Sequence, residues 1–245
     1  MTVVAPVLAE LTEAVAVVTL NDPDRRNPLG PALVARLNQV LADLAADPAC
    51  RAVVLTGAGR GFCAGADLSR LAVTTIAEDR AEYDAIIALN QLVWGYPKPT
   101  VAAVHGFALG GGCGLMSWCD FAIVEEGTRL GYSELVAGLP ATTVIPALLR
   151  LVGRRATLEL VLTGRDIEVA RAVEIGLASR AVPAGTALEA ATELAATLAV
   201  HDPAAVRMTK EILRTVEDTA FDESISYAKE IRVLARAMKQ PGGPA

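Results

Sequence analysis

The sequence predicts a mixed α/β fold, with strand–helix units first and a helical region afterwards. Three observations predict it. Short apolar runs rich in valine and alanine alternate with helical periodicity over roughly the first 145 residues. Two of those runs open into glycine-rich turns that lead towards helices, and beyond Pro146 the pattern is helical almost to the end. A chain of 245 residues that is 53% hydrophobic and 20% charged can bury a sizeable core. Aromatics make up only 4% of it, which favours closely stacked layers over a sandwich built on large side chains.

Ala14–Leu20 reads as a strand closed by the turn Asn21-Asp22-Pro23. Pro31 opens a helix whose apolar positions are Leu33, Leu37, Val40, Leu41 and Leu44. Arg51–Thr56 is a strand suited to burial on both faces, and it runs into the loop Gly57–Ala66. Glu78–Trp94 is helical in pattern, and Pro97 and Pro99 prevent the helix from continuing. Thr100–Val104 is a second buried strand, followed by Gly106, Gly110-Gly111-Gly112 and a helix from about Cys113. Phe121–Glu125 is a short strand. Helices are expected over Pro146–Leu151, Arg154–Leu162, Glu168–Ile175, Ala187–Ala199, Ala204–Val216 and Ser224–Met238. The division falls near residue 185, with 1–185 as the core and 186–245 as a C-terminal helical region.

The formal net charge of -6 weighs against a nucleic-acid binder. Cys50, Cys63, Cys113 and Cys119 form no CxxC pair, and only His105 and His201 accompany them, so no metal site is expected. Buried, reduced thiols in a cytoplasmic protein are the expectation. Glu10 and Glu13 break the N-terminal apolar stretch, so it does not read as a signal peptide. No apolar run is long enough to predict a membrane span.

Val53–Ser69 and Val101–Ser117 each combine a buried strand, a glycine-rich turn and a following helix. Glycine lets a backbone approach a ligand closely, and a helix N-terminus offers unpaired N–H groups. Two such turns facing one point would make an oxyanion hole. Gly57-x-Gly59-x-Gly61 resembles a dinucleotide fingerprint only weakly. Started at Gly57, the pattern needs its last glycine where Phe62 stands.

Gly61-Phe62-Cys63-Ala64-Gly65-Ala66-Asp67-Leu68 resembles the first oxyanion-hole loop of the enoyl-CoA hydratase/isomerase (crotonase) family. His105-Gly106-Phe107-Ala108-Leu109-Gly110-Gly111-Gly112-Cys113, closed by Cys119-Asp120, resembles the second. Asn21-Asp22-Pro23-Asp24-Arg25-Arg26-Asn27-Pro28-Leu29 resembles the early loop beside the CoA adenosine. Leu162-Thr163-Gly164-Arg165 and Ala170 through Gly176-Leu177-Ala178 resemble the later helical signature. The likeness runs from about residue 14 to about residue 238.

The resemblance implies a spiral of repeated ββα units in roughly perpendicular sheets, followed by a helical region. It implies that the N–H groups of Ala66 and Gly111 hold a thioester oxygen. Arg26, Ala64, Ala66, Asp67, Leu68 and Gly111 are the positions expected against the CoA part of the substrate, and Leu71–Leu92 with the C-terminal helices should line the acyl pocket. Trimers, often paired into hexamers, are implied, with an acyl-CoA thioester as ligand and no separate cofactor. Arg25 and Arg26 could approach the CoA phosphates. The side chain of Asp67 reads as a cap for the following helix, Asp120 as structural and His201 as a helix-entry surface residue.

An enolate mechanism needs a group that moves protons. Glu134 follows the strand-like Arg129–Tyr132 and precedes Val136-Ala137-Gly138-Leu139-Pro140, which resembles the stretch presenting the hydratases' second catalytic glutamate. Their first glutamate should follow Gly-Gly-Gly-Cys, where this chain has Gly114. Two carboxylates can jointly orient water, whereas one can still shuttle a proton between carbons. The expected function is therefore enoyl-CoA hydratase-type lyase chemistry. The alternatives are a Δ3,Δ2-enoyl-CoA isomerase with a single glutamate, another enolate reaction, or a catalytically weak acyl-CoA-binding chain. A glutamate placed at position 114 is expected to raise hydration if it fits. The C-terminal Met238–Ala245 lacks the closing segment that many relatives carry.

Overall fold

The computed structural model describes residues 5–67, 69, 75–217 and 219–238. Eight strands and nine helices are named among them. β1 (Val7–Thr12) and β2 (Val15–Leu20) form a hairpin, and α1 (Pro31–Ala46) follows. Then come β3 (Ala52–Gly57), α2 (Ile76–Trp94), β4 (Thr100–Val104), β5 (Phe107–Leu109), α3 (Gly111–Trp118), β6 (Phe121–Glu125) and β7 (Arg129–Gly131). The remainder is α4 (Ile145–Leu151), α5 (Gly153–Thr163), α6 (Val169–Glu174), β8 (Arg180–Val182), α7 (Ala187–Ala199), α8 (Pro203–Val216) and α9 (Phe221–Met238).

The main sheet has the order β1-β2-β3-β4-β6-β8. The β1–β2 pair is antiparallel and every other pair is parallel. A parallel sheet must be covered on both faces, and residues alternate between those faces along each strand. Val53, Leu55, Ala102, Val104 and Val124 face the larger core with α1 and α3. Val54, Val101, Ala103 and Ile123 face the other way, onto Ala187, Ala191 and Ala195 of α7. Those alanines are four residues apart, so one small-residue stripe lets the helix lie close on the sheet. The division expected at residue 185 thus falls just before a helix that covers the sheet itself.

A second, thinner layer sits beside the first. Its rungs are Leu29 with Ala66, Cys63 with Ala108, β5 with β7, and Leu130 with Ile167. Each turn of the chain therefore places one strand in the main sheet, one short extended piece in the second layer, and then a helix. This is the ββα repetition that carries the fold, and it stacks the loops after β3 and β4 side by side.

Three strands go beyond the elements expected from the sequence. β1 is an edge strand with only Val7 buried, and β5 and β8 are three residues each. β8 lies within the stretch expected to be continuously helical. It pairs with β6 and completes the sheet edge. Asp120 is structural, as expected. Its Oδ2 accepts hydrogen bonds from the Thr100 N–H at 2.8 Å, the Thr100 hydroxyl at 3.0 Å and Lys210 Nζ at 2.5 Å, which ties α8 to the start of β4. Burial lowers the Lys210 pKa despite that carboxylate. The Asp202 side chain caps α8 by accepting the Ala205 N–H at 2.8 Å, and the neighbouring His201 carbonyl accepts from Arg51. No helix among the described residues is long and apolar enough to cross a membrane.

Candidate active site

The two glycine-rich loops meet because of what glycine omits. Gly65 has φ +89°, and a Cβ there would stand 2.4 Å from the Leu109 carbonyl oxygen and 3.0 Å from the Gly111 nitrogen. Any side chain would push the loops apart. The Ala66 nitrogen lies 3.8 Å from where a Cβ of Gly111 would be. Gly111 is the first residue of α3, so its N–H has no acceptor within the helix. Backbone bonds fix this juxtaposition, with Leu29 N–H donating to Gly65 O at 2.8 Å, Leu109 N–H to Cys63 O at 3.0 Å and Gly110 N–H to Gly131 O at 2.8 Å.

Ala66 and Gly111 line a cavity of about 380 Å³. Ala64, Asp67 and Glu134 line it too, together with Leu29, Tyr83, Ile86, Leu139 and Thr142. Glu134 reaches back over the second loop, and its Oε1 lies 3.6 Å from where a Cβ on Gly110 would stand. Gly110 adopts φ +51°, and its lack of a side chain leaves that approach open. Burial raises the Glu134 pKa above its ordinary value. Its Oε2 is buried without a hydrogen-bond partner.

Other expected positions differ. The Asp67 side chain accepts from Arg25 at 2.5 Å and from the Ser69 hydroxyl at 2.6 Å, and the Ser69 backbone N–H also bonds to it. The cap of α2 is Thr75, in a reciprocal pair with Glu78. Burial pushes the Asp67 pKa up, but the Ser69 hydroxyl and Arg25 together hold it below its usual value. Arg25 is therefore bound by Asp67, with Asp22 at 3.5 Å on its other side. Arg26 is not among the described residues lining the cavity. It contributes its backbone carbonyl, which accepts the Ala64 N–H at 3.0 Å. Leu68 and residues 71–74 lie outside the described residues. The described acyl-side lining comes from α2 and the 139–143 segment, not from the C-terminal helices. His105 does not line the cavity either, and its Nε2 is 3.1 Å from Gly59 O, bracing one loop against the other.

Gly114 is filled from outside. A Cβ on it would meet Val144 Cγ1 at 2.8 Å and Trp118 Cζ2 at 3.4 Å, and both neighbours are buried. A glutamate there would have to displace the Val144 side chain to fit.

The sequence pattern assigns no role to Asn27, yet the fold gives it one. Its side chain is fully buried, and Nδ2 donates to Ala58 O at 2.9 Å, Gly61 O at 3.0 Å and Phe62 O at 3.1 Å. Its Oδ1 accepts the Asp22 N–H at 2.9 Å. One amide therefore holds the first loop from inside. The available signal was an asparagine directly before Pro28, a residue type that tolerates the φ of +53° seen here. Cys63 also supports the loop, its sulfur accepting the Gly65 N–H at 3.4 Å. Burial pushes the Cys63 thiol up to about 12, so it stays protonated at neutral pH. Among the described residues, no group of three or more His, Cys, Asp or Glu side chains is arranged to hold a metal ion.

The Enoyl-CoA hydratase/isomerase family model matches residues 10–239. The chain belongs to this family. It is 46% identical over 217 residues, 87% of this chain and 86% of the relative, to a Thermus thermophilus protein provisionally named an enoyl-CoA hydratase. It is 34% identical over 233 residues to the 2,3-dehydroadipyl-CoA hydratase of Escherichia coli, covering 92% and 88% of the two chains. The crystal structure of an enoyl-CoA hydratase from Mycobacterium smegmatis superimposes with a TM-score of 0.90 at 29% identity, covering 96% of this chain and 92% of that one. The ββα spiral expected from the family resemblance is therefore the fold of this chain.

Proposed function

We propose that the chain is a hydratase-type lyase acting on an acyl-CoA thioester. The amides of Ala66 and Gly111 hold the thioester oxygen, and Glu134 moves the proton. The observation that carries this reading is one cavity lined by Ala66, Gly111 and Glu134, with the carboxylate oxygen against Gly110. Attack on a conjugated enoyl thioester drives charge onto the carbonyl oxygen. Fixed donors stabilise that charge more in the transition state than in the ground state. Losing one such donor costs about 3 kcal/mol in barrier. A carboxylate with a raised pKa takes up the water proton more readily, which suits it to the base role. Coenzyme A enters as part of the substrate.

The hydratase names of the relatives support the lyase reading. A second reading, double-bond isomerisation with Glu134 alone, is favoured by Val144 standing where a carboxylate at position 114 would need room. Incubation with a panel of trans-2- and trans-3-enoyl-CoAs separates the two. Loss of the conjugated absorbance of trans-2 substrates is expected. Conversion of trans-3 substrates without any hydration would overturn the lyase reading.

The chain is further proposed to assemble as a homotrimer or a dimer of trimers through α8 and α9. No described residue of α9 is buried, and Leu213, Phe221, Ile225 and Val233 are exposed.

A further inference from the structure

Hydration with one glutamate leaves a task unassigned, because something must hold the attacking water opposite the carboxylate. The segment that fills the space at Gly114 also supplies a hydroxyl. Two residues before Val144, Thr142 lines the cavity, and its Oγ1 makes a hydroxyl–hydroxyl hydrogen bond with Tyr83 Oη. Tyr83 lies on the face of α2 that also carries Ile86 and Asn90. Asn90 Nδ2 donates to Thr143 O at 3.2 Å, so the helix grips this segment twice. Tyr83 and Thr142 share the cavity with Ala66, Gly111 and Glu134.

A phenol and an alcohol that share one hydrogen bond keep one further O–H and several lone pairs. Such a pair can accept an O–H of water and donate to it without carrying charge. We infer that the Tyr83–Thr142 pair holds the attacking water, in the role a second carboxylate would otherwise take. This inference rests on the hydratase reading. The water oxygen bonds to C3 as its proton passes to the Glu134 carboxylate. The C2–C3 π electrons move onto the thioester oxygen, held by the Ala66 and Gly111 amides. The Glu134 proton then returns to C2 as the enolate collapses. One water is added, Glu134 is regenerated, and neither hydroxyl changes its proton count.

Asp79 and Glu82 are carboxylates that also line the cavity. Glu82 additionally lines the adjoining groove with Asp22, Arg25 and Asp67. Asp79 is one turn earlier on α2 than Tyr83.

The test compares Tyr83→Phe, Thr142→Val and the double variant with wild type in two assays. One is hydration of trans-2-enoyl-CoAs. The other is exchange of the C2 proton of a saturated acyl-CoA with deuterated water, which needs Glu134 and the two amides but no attacking water. Hydration should fall about 10- to 100-fold in each single variant, while exchange stays within about threefold. The double variant should be little worse than the weaker single one, because both hydroxyls serve one water. Hydration unchanged in Tyr83→Phe and Thr142→Val would overturn the inference alone, as would hydration and exchange falling together. A wild-type chain that exchanges C2 protons but hydrates no enoyl-CoA would overturn the hydratase reading with it.

Discussion

At Asn27 a single buried amide serves three carbonyls and one N–H, two of the carbonyl bonds fully buried. Replacing it by alanine leaves those buried groups unpaired, each a penalty of about 1–3 kcal/mol when not relieved. Asn27→Ala should lower the free energy of unfolding by about 3 kcal/mol, read by urea denaturation. Glu134 runs the other way. Burial raises its pKa in the folded state, so the folded chain binds that proton more readily than the unfolded one. Its favourable contribution is complete below the unfolded value, about 4.3, and is lost as pH rises through the folded value. At pH 7 the ionised carboxylate therefore weighs against stability. Glu134→Gln should melt at a higher temperature than wild type near pH 7, with the gap narrowing as pH falls towards 4. The sequence showed Glu134 through its motif position. It did not show the carbonyl partners of Asn27, because they lie 31 to 35 residues away and only the fold brings them in.

The helices and the long strands were legible where the pattern belongs to the element itself. β4, β6 and α7 have the bounds that their apolar runs and periodicity indicate. β5 and β8 were not legible, since three residues carry no period and are strands only because β7 and β6 pair with them. β1 was hidden because it is an edge strand exposed along five of its six residues. The packing of Gly114, on α3, against the residue just before α4 is likewise invisible in sequence. There Gly114 admits Val144 Cγ1, so a methyl group at position 114 overpacks the pair. Gly114→Ala should cost about 1–3 kcal/mol in thermal or denaturant unfolding. Gly114→Glu should cost more and yield no gain in hydration.

For the molecule as a whole, the main sheet and its two covering layers form a closed core, while α8 and α9 extend an apolar surface outward. Apolar side chains such as Phe221, 77% exposed, and Leu213, 65% exposed, are available on α9 and α8 for a partner to cover. Light scattering should give a mass of three or six chains, and a stable monomer across concentrations would contradict the proposed assembly. The spiral itself was legible as strand–glycine turn–helix units in order. What the sequence withheld was the lateral stacking of those turns, which sets Ala66 beside Gly111 and brings Glu134 into the same cavity.

The proposed chemistry depends most heavily on Glu134 as the group that moves the proton, and turnover of Glu134→Gln tests that directly. The substitution keeps shape and polarity but removes the base. On the best enoyl-CoA substrate, kcat should fall about 10²–10⁴-fold while KM stays within a few-fold of wild type. A Glu134→Gln chain that turns over close to the wild-type rate would contradict that role.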